Sequence, residues 1–240
     1  MMKKQSILIV GSEKGLGLGL GLTEAYLERG WEVFATHLPA ADTSSLLALG
    51  ETYPGHLTTS EIDVTDTSHI GPLIGKMRER RFDVMFMVAG MYGPLHQSVL
   101  QASDAEFQQI MMTNAFGPAR LARHLLPMLK PDGSLVFMSS HQGSIAGNTE
   151  PGIGLELYRA SKAALNMLAR CIYMDISQGA QTVLSIHPGW VTTAMGTLDG
   201  TVDAEIDVST SVNGMVSVIE QHRNARSHLF LDYENNSWPW

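Results

Sequence analysis

The segment Val10-Gly11-Ser12-Glu13-Lys14-Gly15-Leu16-Gly17 decides the fold, because its glycines follow directly on the apolar run of residues 7–10. That run predicts a buried strand, and residues 16–29 predict a helix that ends at Gly30. A turn this tight needs residues without a Cβ, and it leaves backbone N–H groups at a helix N-terminus that a diphosphate can approach. The spacing is G-x-x-x-G-x-G, and neither G-x-G-x-x-G nor a Walker-type motif is present. The segment predicts a diphosphate-binding turn, with a merely glycine-softened turn as the alternative.

The rest of the chain alternates apolar strands with helical segments. Further strands are predicted at residues 33–36, 57–62, 84–88, 135–138, 183–186 and 229–231. Most lack polar alternation, which is typical of parallel strands covered on both faces. Long helices are predicted over residues 107–129, after a capping box of Ser103 and Glu106 and with a bend at Pro118, and over residues 155–177. This pattern predicts an α/β fold in one domain over residues 1–240: a doubly wound sheet of about seven parallel strands flanked by helices, which binds ligands at the carboxyl ends of its strands.

Composition narrows the classes of function. The 16 Lys and Arg against 24 Asp and Glu residues give a net charge of −8, which disfavours a nucleic-acid partner. Hydrophobic residues at 44% and charged residues at 17% argue against disorder, and no stretch is apolar enough to span a bilayer. The single cysteine, Cys171, cannot form an internal disulfide and is expected to be buried and inert. The nine histidines lack metal-site spacing, so no metal is expected. We expect a cytoplasmic protein without membrane or nucleic-acid partners.

Tyr158 and Lys162 form a Y-x-x-x-K pair on the second long helix. A spacing of four places both side chains on one helical face. A nearby ammonium stabilises a phenolate and lowers the pKa of the tyrosine, which proton transfer near neutral pH requires. Ser139 and Ser140 close the preceding strand, where a hydroxyl can polarise a carbonyl. Tyrosine and lysine also occur at this spacing by chance, so the pair indicates catalysis only together with the neighbouring motifs.

Four motifs in this order resemble those of the short-chain dehydrogenase/reductase family. They are GSEKGLG at 11–17, MVAG at 87–90, TNAFG at 113–117 and YRASK at 158–162. SSHQGSIAGN at 139–148, HPGWVTTAMG at 187–196 and the terminal WPW resemble more narrowly the C-factor-like and carbonyl-reductase branch. The resemblance implies a Rossmann-type fold and an NAD(P)(H)-dependent oxidoreductase. It would reduce a small-molecule aldehyde or ketone to an alcohol, or catalyse the reverse.

The resemblance assigns catalytic roles to four residues. Tyr158 would give a proton to the carbonyl oxygen, and Lys162 would lower the pKa of Tyr158 and hold the ribose hydroxyls of the cofactor. Ser140, preferred over Ser139 by the family register, would donate a hydrogen bond to the developing oxyanion. Asn114 would connect Lys162 to a proton relay through a backbone kink and a water.

The resemblance also implies a set of cofactor-binding residues at the glycine turn and at the strand ends. These are Gly11, Ser12, Lys14, Gly15, Leu16, Gly17, His37, Asp63, Val64, Ala89, Gly90, Met91, Tyr158, Lys162, Pro188, Gly189, Val191 and Thr193. An acid at the end of the second strand would select NAD through the ribose 2′-hydroxyl, but no acid precedes Asp42 there. Lys14 stands where NADP-preferring relatives carry a basic residue, although a solvated lysine is the alternative. NADP(H) is therefore favoured, with NAD(H) as the second choice.

Some positions depart from the family pattern and keep a second interpretation open. Val10 replaces the usual threonine, and Met87 and Val88 replace both asparagines of the N-N-A-G motif. Together with the C-factor resemblance, these changes leave a cofactor-binding signalling or regulatory protein, with weak or incidental reductase activity, as the alternative. The resemblance further predicts a substrate loop near residues 190–210 and a homodimer or homotetramer.

Overall fold

Seven parallel strands form the central sheet in the part of the chain that the computed structural model describes, which is residues 4–13, 17–77, 79–149, 151–152 and 154–240. The strands are β1 (Ser6–Val10), β2 (Glu32–His37), β3 (Leu57–Glu61), β4 (Phe82–Met87), β5 (Leu129–Met138), β6 (Thr182–His187) and β7 (His228–Asp232). They lie in the order β3-β2-β1-β4-β5-β6-β7, and each neighbouring pair is parallel. The predicted parallel sheet is confirmed.

Helices cover both faces of this sheet. They are α1 (Leu18–Glu28), α2 (Ser44–Thr52), α3 (Ile70–Met77), α4 (Asp104–Met111), α5 (Gly117–Leu125), α6 (Glu156–Ile176) and α7 (Val208–His222). Leu8 and Val10 of β1 pack into one core with α3, α5 and α6, whereas Ile7 and Ile9 pack into the other core with α1, α2 and α7. Because successive side chains of a strand point to opposite faces, two apolar cores require strands that are apolar throughout. This doubly wound arrangement explains the unbroken apolar run of residues 7–10.

The strand order reverses between β1 and β4. From β1 the chain builds outward through β2 and β3, and it then returns to β4 and builds outward in the opposite direction. In open parallel sheets, the crevice at the carboxyl ends of two such strands is the usual ligand site. The register pairs Val10 with Met87, so the glycine turn after β1 faces the M-V-A-G motif that follows β4.

The helix predicted over residues 107–129 is wrong in its extent. The capping box of Ser103 and Glu106 opens α4 as predicted, but α4 passes into a π-helical turn, Met112–Phe116, before α5 begins. Pro118 lies in the first turn of α5, and it has no N–H to bond to the carbonyl four residues back, which belongs to Asn114 in the π turn. The irregularity therefore falls on the π turn that carries Asn114. A short 3₁₀ turn follows α5, and Leu129 already belongs to β5.

The helix predicted over residues 155–177 corresponds closely to α6, but the expected burial of Cys171 on it is wrong. Buried positions recur at Leu165, Ala169 and Ile172, which is one face of the helix. Cys171 points away from this face and is exposed. None of the helices in the described ranges has the length and apolarity of a candidate membrane span.

Candidate active site

The turn after β1 is built from backbone and needs glycine at two positions. The amides of Gly11 and Ser12 donate to the carbonyl of Thr36 at 3.3 and 2.7 Å, which bends the chain out of the sheet. Gly11 has φ +103°, and a Cβ there would lie 2.9 Å from the backbone nitrogen of Ala89. A Cβ at Gly19 would overlap the carbonyl oxygen of Gly11. The start of α1 therefore lies directly against the turn, as close backbone approach to a diphosphate requires.

The N-terminus of α1 suits an anionic group. Gly17 is its N-cap in extended conformation, and among the described residues no side chain caps the helix and no acid lies in its first turn. The first amides of a helix lack intrahelical partners and form the positive end of its dipole. This uncapped end beside Gly11 fits the diphosphate of a dinucleotide. The predicted cofactor residues Lys14, Gly15 and Leu16 lie outside the described residues.

Asn114 connects the segment after β4 to α6. Its side chain accepts a hydrogen bond from the Met91 amide at 2.7 Å and donates to the Met91 carbonyl at 2.8 Å and to the Ser161 hydroxyl at 3.0 Å. Ser161 in turn donates to the carbonyl of Tyr158 at 2.8 Å. The asparagine is fully buried, and the π turn aims it at both partners. The structure thus brings together Asn114, Met91 and Tyr158, three of the predicted residues.

Lys162 is buried beside Gly90. Its ammonium donates to the carbonyl of Met138 at 2.8 Å and lies 5.7 Å from the centre of the Tyr158 ring. Burial lowers the pKa of Lys162 to about 8. A Cβ at Gly90 would lie 3.5 Å from the Lys162 nitrogen and 3.3 Å from the Asn114 oxygen. Glycine at position 90 keeps the approach to both groups clear, as a cofactor ribose would need.

The Tyr158 phenol lies between Ser140 and Tyr92. Burial raises the pKa of Tyr158 to about 12, and a hydrogen bond with the Ser140 side chain partly offsets this rise. The net direction differs from the lowering expected from Lys162, because desolvation dominates and the ammonium donates to the Met138 carbonyl. The Tyr92 ring stacks on Tyr158 with centroids 5.9 Å apart and planes at 25°. Sequence reasoning did not single out Tyr92.

The two serines after β5 have different partners. Ser139 donates to the side-chain oxygen of Asn166 at 2.7 Å, so its hydroxyl is committed to bracing α6. Ser140 accepts from the Gln142 amide at 3.2 Å, which orients its oxygen at the start of a 3₁₀ turn, and it contacts Tyr158. Ser140 is therefore the serine that shares a site with the tyrosine.

His37, Asp63 and Val64 lie at the carboxyl ends of β2 and β3, on the same edge as the glycine turn. Asp63 accepts from the amide and hydroxyl of Thr65 at 2.8 and 2.7 Å, which is the local capping that the residue type alone suggests. The Val64 carbonyl accepts from Arg120 at 3.2 Å. The His37 ring contacts the Leu38 carbonyl at 3.0 Å. These residues border the site from the outer half of the sheet.

The P-G-x-V-x-T stretch folds over the carboxyl end of β6. The Pro188 carbonyl accepts from Ser211 on α7 at 2.6 Å. Gly189 has φ +84°, and a Cβ there would lie 2.6 Å from the Ile206 side chain. Val191 pairs with Ile206 in an isolated bridge, which closes residues 191–206 into a loop. The Thr193 hydroxyl accepts from the Gly196 amide inside that loop at 3.0 Å.

Comparison with known proteins decides the family. A family model described as enoyl-(acyl carrier protein) reductase matches residues 11–237. The chain belongs to the short-chain dehydrogenase/reductase family. The C-signal protein of Myxococcus xanthus is 38% identical over 162 residues, which are 66% of this chain and 92% of that protein. The 1-hydroxy-2-glutathionyl-2-methyl-3-butene dehydrogenase of Rhodococcus sp. (strain AD45) is 31% identical over 196 residues, 78% of each chain.

Solved structures of other members share the whole fold. A short-chain dehydrogenase/reductase from Burkholderia multivorans with bound NADP has a TM-score of 0.91 and 34% identity, covering 99% of this chain and 100% of that one. A carbonyl reductase from Pseudomonas aeruginosa PAO1 in complex with NADP has a TM-score of 0.88 and 35% identity, with 99% and 100% covered. The resemblance drawn from the motifs is confirmed, and this short-chain dehydrogenase/reductase is an NAD(P)-dependent oxidoreductase.

This short-chain dehydrogenase/reductase also contains an aromatic cluster that sequence reasoning missed. His141 and His187 approach at 2.9 Å between ring nitrogens, and the Trp238 ring lies 5.3 Å from the first and 6.1 Å from the second. Burial lowers the pKa of His187 to about 3, with a smaller contribution from His141. Both histidines stand at the carboxyl ends of the adjacent strands β5 and β6, and that shared edge was the available signal.

A cavity of about 290 Å³ lies beside this cluster. Its lining includes the residues that follow Ser140 and the residue that follows Tyr158, together with the C-terminal tail. The lining residues are His141, Gln142, Ser144, Gly147, Asn148, Thr149, Arg159 and Trp238. Within the described ranges, no three His, Cys, Asp or Glu side chains are grouped so that they could hold a metal ion.

Proposed function

We propose that this enzyme reduces the carbonyl group of an aldehyde or ketone to an alcohol, or catalyses the reverse, with NADP(H) as its preferred cofactor. The observation that carries the proposal is the convergence of Ser140, Tyr158 and Lys162 beside Gly90, where a side chain would crowd Lys162 and Asn114. A hydroxyl, a phenol and an ammonium at the carboxyl ends of β4 and β5 form a site suited to a polarised carbonyl.

The proposed mechanism assigns one task to each group. A reduced nicotinamide, when bound, would supply the hydride for the carbonyl carbon. Ser140, whose oxygen already accepts from the Gln142 amide, donates its hydrogen to the carbonyl oxygen. Tyr158, which its raised pKa keeps protonated at neutral pH, gives its proton to the same oxygen. Lys162 holds the ribose hydroxyls and stabilises the phenolate that remains, and Asn114 links this site to a proton relay.

The proposed cofactor contacts follow the edge of the sheet. The glycine turn and the amides at the start of α1 hold the diphosphate, and the ends of β3 and β4 hold the adenosine. The P-G-x-V-x-T stretch anchors the nicotinamide. The described residues of this set, apart from the catalytic pair, are Gly11, Ser12, Gly17, His37, Asp63, Val64, Ala89, Gly90, Met91, Pro188, Gly189, Val191 and Thr193.

Tyr158→Phe tests the catalytic assignment. Removing the phenolic proton donor is expected to lower kcat/KM for carbonyl reduction about 100-fold or more, while cofactor affinity stays within a few fold. The matched control is Tyr173→Phe on the same helix, because that hydroxyl donates to the Arg226 carbonyl away from the site. NADPH oxidation is followed with a panel of aldehydes and ketones. A Tyr158→Phe rate near that of the wild type would refute the assignment.

The preference for NADP(H) rests on the end of β2. Asp42, the first acid after this strand, has its carboxylate bound to the Ser44 amide at 2.9 Å, so it caps α2. No acid lies between the end of β2 and Asp42, so none is placed there to bond a ribose 2′-hydroxyl. Lys14 is the proposed partner of a 2′-phosphate. Calorimetric titration is expected to show tighter binding of NADPH than of NADH. Lys14→Ala should weaken NADPH about tenfold and leave NADH nearly unchanged; a clear preference for NADH would overturn the proposal.

We place the substrate at the loop of residues 190–210 and the neighbouring turns. The Val191–Ile206 bridge holds this loop over the end of β6, and Trp190 donates to the Gly196 carbonyl at 2.6 Å. We propose that this loop covers the nicotinamide position, where it would contact a small-molecule carbonyl or alcohol. Ile206→Ala removes the side chain that lies against Gly189 and keeps the main-chain bridge, and it is expected to change KM for the carbonyl more than cofactor affinity.

A homodimer or homotetramer is the proposed assembly. Four large apolar side chains are exposed on α4, the π turn and α6, namely Phe107, Phe116, Met167 and Met174. Exposed apolar side chains on neighbouring helices favour contact with a second copy. Sedimentation of the purified protein as a monomer would contradict this assembly.

The second candidate is a cofactor-binding signalling protein with weak or incidental reductase activity. Its support is the 38% identity to C-signal, together with the replacement of both asparagines of the N-N-A-G motif by Met87 and Val88. Calorimetry and the carbonyl panel separate the two candidates. Tight cofactor binding without turnover of any carbonyl favours the signalling role.

A further inference from the structure

Gln97 is a buried glutamine in the segment between β4 and α4. Only 3% of its surface is exposed, and its φ of +54° lies in the left-handed region that favours glycine. A non-glycine residue in this conformation is held there by its surroundings, and a buried amide group requires hydrogen-bond partners. The neighbours of Gln97 therefore indicate what its side chain does.

Every polar group of the Gln97 side chain is used. Its nitrogen donates to the carbonyls of Tyr92 and Pro94, both at 2.8 Å. Its oxygen accepts from the amide of Tyr158 at 2.9 Å. Its own main-chain carbonyl accepts from the Leu157 amide at 3.3 Å. One residue thus connects the turn after β4 to the two consecutive amides that begin the catalytic helix.

Gln97 acts as the cap of α6 from a distant part of the chain. Leu155, the N-cap residue of this helix, has φ +62°. Its side chain makes no capping hydrogen bond to the described amides of α6. The first amides of a helix have no intrahelical partner, so Leu157 and Tyr158 need acceptors from elsewhere. Gln97 supplies both. A second contact, from the Val99 amide to the Glu156 carboxylate at 2.8 Å, reinforces the same junction.

The junction also fixes two aromatic rings against each other. Gln97 holds Tyr92 through its carbonyl and Tyr158 through its amide, and the two rings stack at 5.9 Å. Without the Gln97 side chain, the Tyr92 turn and the first turn of α6 would be free to move independently. The Tyr158 hydroxyl lies at the end of this chain of contacts.

We propose that Gln97 is a positioning residue that caps α6 and sets the place of the Tyr158 hydroxyl relative to Ser140. Its catalytic consequence rests on the carbonyl-reductase function proposed above, whereas the capping contact can be tested without it. A small displacement of a reacting group lowers the rate of the chemical step more than it weakens ground-state binding. Loss of Gln97 should therefore reduce kcat while leaving the cofactor site intact.

Two substitutions at position 97 separate its donors from its acceptor. Gln97→Met keeps the length of the side chain and removes its three side-chain hydrogen bonds, while the main-chain bond to the Leu157 amide is kept. Gln97→Glu keeps an acceptor for the Tyr158 amide but turns a carboxylate oxygen toward the carbonyls of Tyr92 and Pro94. The control is Gln108→Met, a glutamine exposed on α4. Gln97→Glu also provides the measurement if Gln97→Met does not fold.

Gln97→Met is expected to lower kcat about tenfold or more, with the calorimetric Kd for NADPH within about twofold of wild type. Gln97→Glu is expected to regain activity relative to wild type as the pH falls, because a protonated carboxyl can donate to one of the two carbonyls. A residue that only stabilised the fold would not give this pH dependence. Gln108→Met should match wild type in both measurements.

Amide hydrogen exchange reads the capping contact directly. In Gln97→Met, the amides of Leu157 and Tyr158 should exchange faster than in wild type, because they lose their acceptor or its placement. Unchanged exchange, or a kcat within twofold of wild type, would overturn the positioning role, as would an NADPH affinity that falls as much as kcat. If wild type reduces no carbonyl, the proposed function fails, and the exchange measurement still decides whether Gln97 caps α6.

Discussion

The two sides of the crevice between β1 and β4 are built in opposite ways. On the β1 side, the turn and the start of α1 depend on side chains that are missing, since a Cβ at Gly11 or Gly19 would meet backbone atoms. On the β4 side, buried polar side chains do the positioning: Asn114, Lys162 and Gln97 each make hydrogen bonds to main-chain groups of other segments. The first side is built from backbone, and the second from polar side chains.

This difference determines how each side can fail. A backbone cradle is disrupted when an atom is added, because the overlap is with main chain that cannot rotate away. A network of buried polar groups is disrupted when a group is removed, because its partner is left without a hydrogen bond. The cofactor side should therefore be sensitive to small-to-large changes, and the catalytic side to deletions.

Gly19→Ala should give the largest effect. The added methyl group overlaps the Gly11 carbonyl, so α1 must move away from the turn and its amides must leave the diphosphate position. The affinity for NADPH is expected to fall about 100-fold, with a loss of unfolding free energy of about 1–3 kcal/mol. Calorimetric titration measures the first quantity and urea unfolding the second.

The matched control for this change is Gly71→Ala. Gly71 lies in α3, and a Cβ there meets no atom within 4 Å. Alanine is the better helix former, so this variant should keep its NADPH affinity and gain up to about 1 kcal/mol. An NADPH affinity for Gly19→Ala within threefold of wild type would contradict the backbone-built cofactor side.

The two sides also differed in how far sequence could predict them. The glycine turn and the Y-x-x-x-K pair are local patterns, because each is contained in one strand–turn–helix unit or on one helical face, and the structure places Tyr158 and Lys162 on α6 as expected. The parallel sheet was also predictable from local patterns, because a continuous apolar run indicates a strand that is buried on both faces.

Contacts between distant segments were not predictable in this way. Gln97 and Tyr158 are neighbours because the segments after β4 and before α6 lie at one edge of the sheet, and no local period reports this. The π turn at Asn114 was not predicted, because proline is a visible helix breaker whereas a π turn has no composition of its own. Cys171 was expected to be buried because residue type favours burial, but its position on α6 is off the buried face.

Lys162→Met should break the catalytic side while stabilising the fold. The variant is expected to lose about 100-fold or more in kcat, because the buried ammonium beside Tyr158 is gone. Burial lowers the pKa of Lys162 to about 8, so keeping the side chain charged in the folded state at pH 7 costs stability. Without cofactor, Lys162→Met should be about 1–3 kcal/mol more stable than wild type at pH 7 by urea unfolding.

The pH dependence gives this prediction its sign. From about pH 8 to 10.5, the unfolded chain binds the Lys162 proton and the folded chain does not, so the wild-type unfolding free energy should rise with pH. The stability advantage of Lys162→Met should shrink over this window. Lys76→Met, at an exposed position of α3, should change stability by less than about 0.5 kcal/mol at pH 7. A Lys162→Met variant that is less stable than wild type at every pH would show that the buried ammonium stabilises the fold.

An effect on stability alone, with none on activity, is expected under acid at β7, away from the crevice. Burial lowers the pKa of His228 on β7 to about 3, with Arg170 contributing, so between pH 6.5 and 3 the unfolded chain binds a proton that the folded chain does not. Unfolding free energy should therefore fall as the pH drops below 6.5, by up to about 1.4 kcal/mol per pH unit for this group, and His187 should add to the slope.

His228→Phe keeps a ring against Trp240 and should flatten the slope. Ser185→Ala removes only the hydrogen-bond partner of His228 and should lower stability without changing the slope. Equal slopes for His228→Phe and wild type would show that acid acts elsewhere, and that the side-chain-built half is no more sensitive to protonation than the backbone-built half.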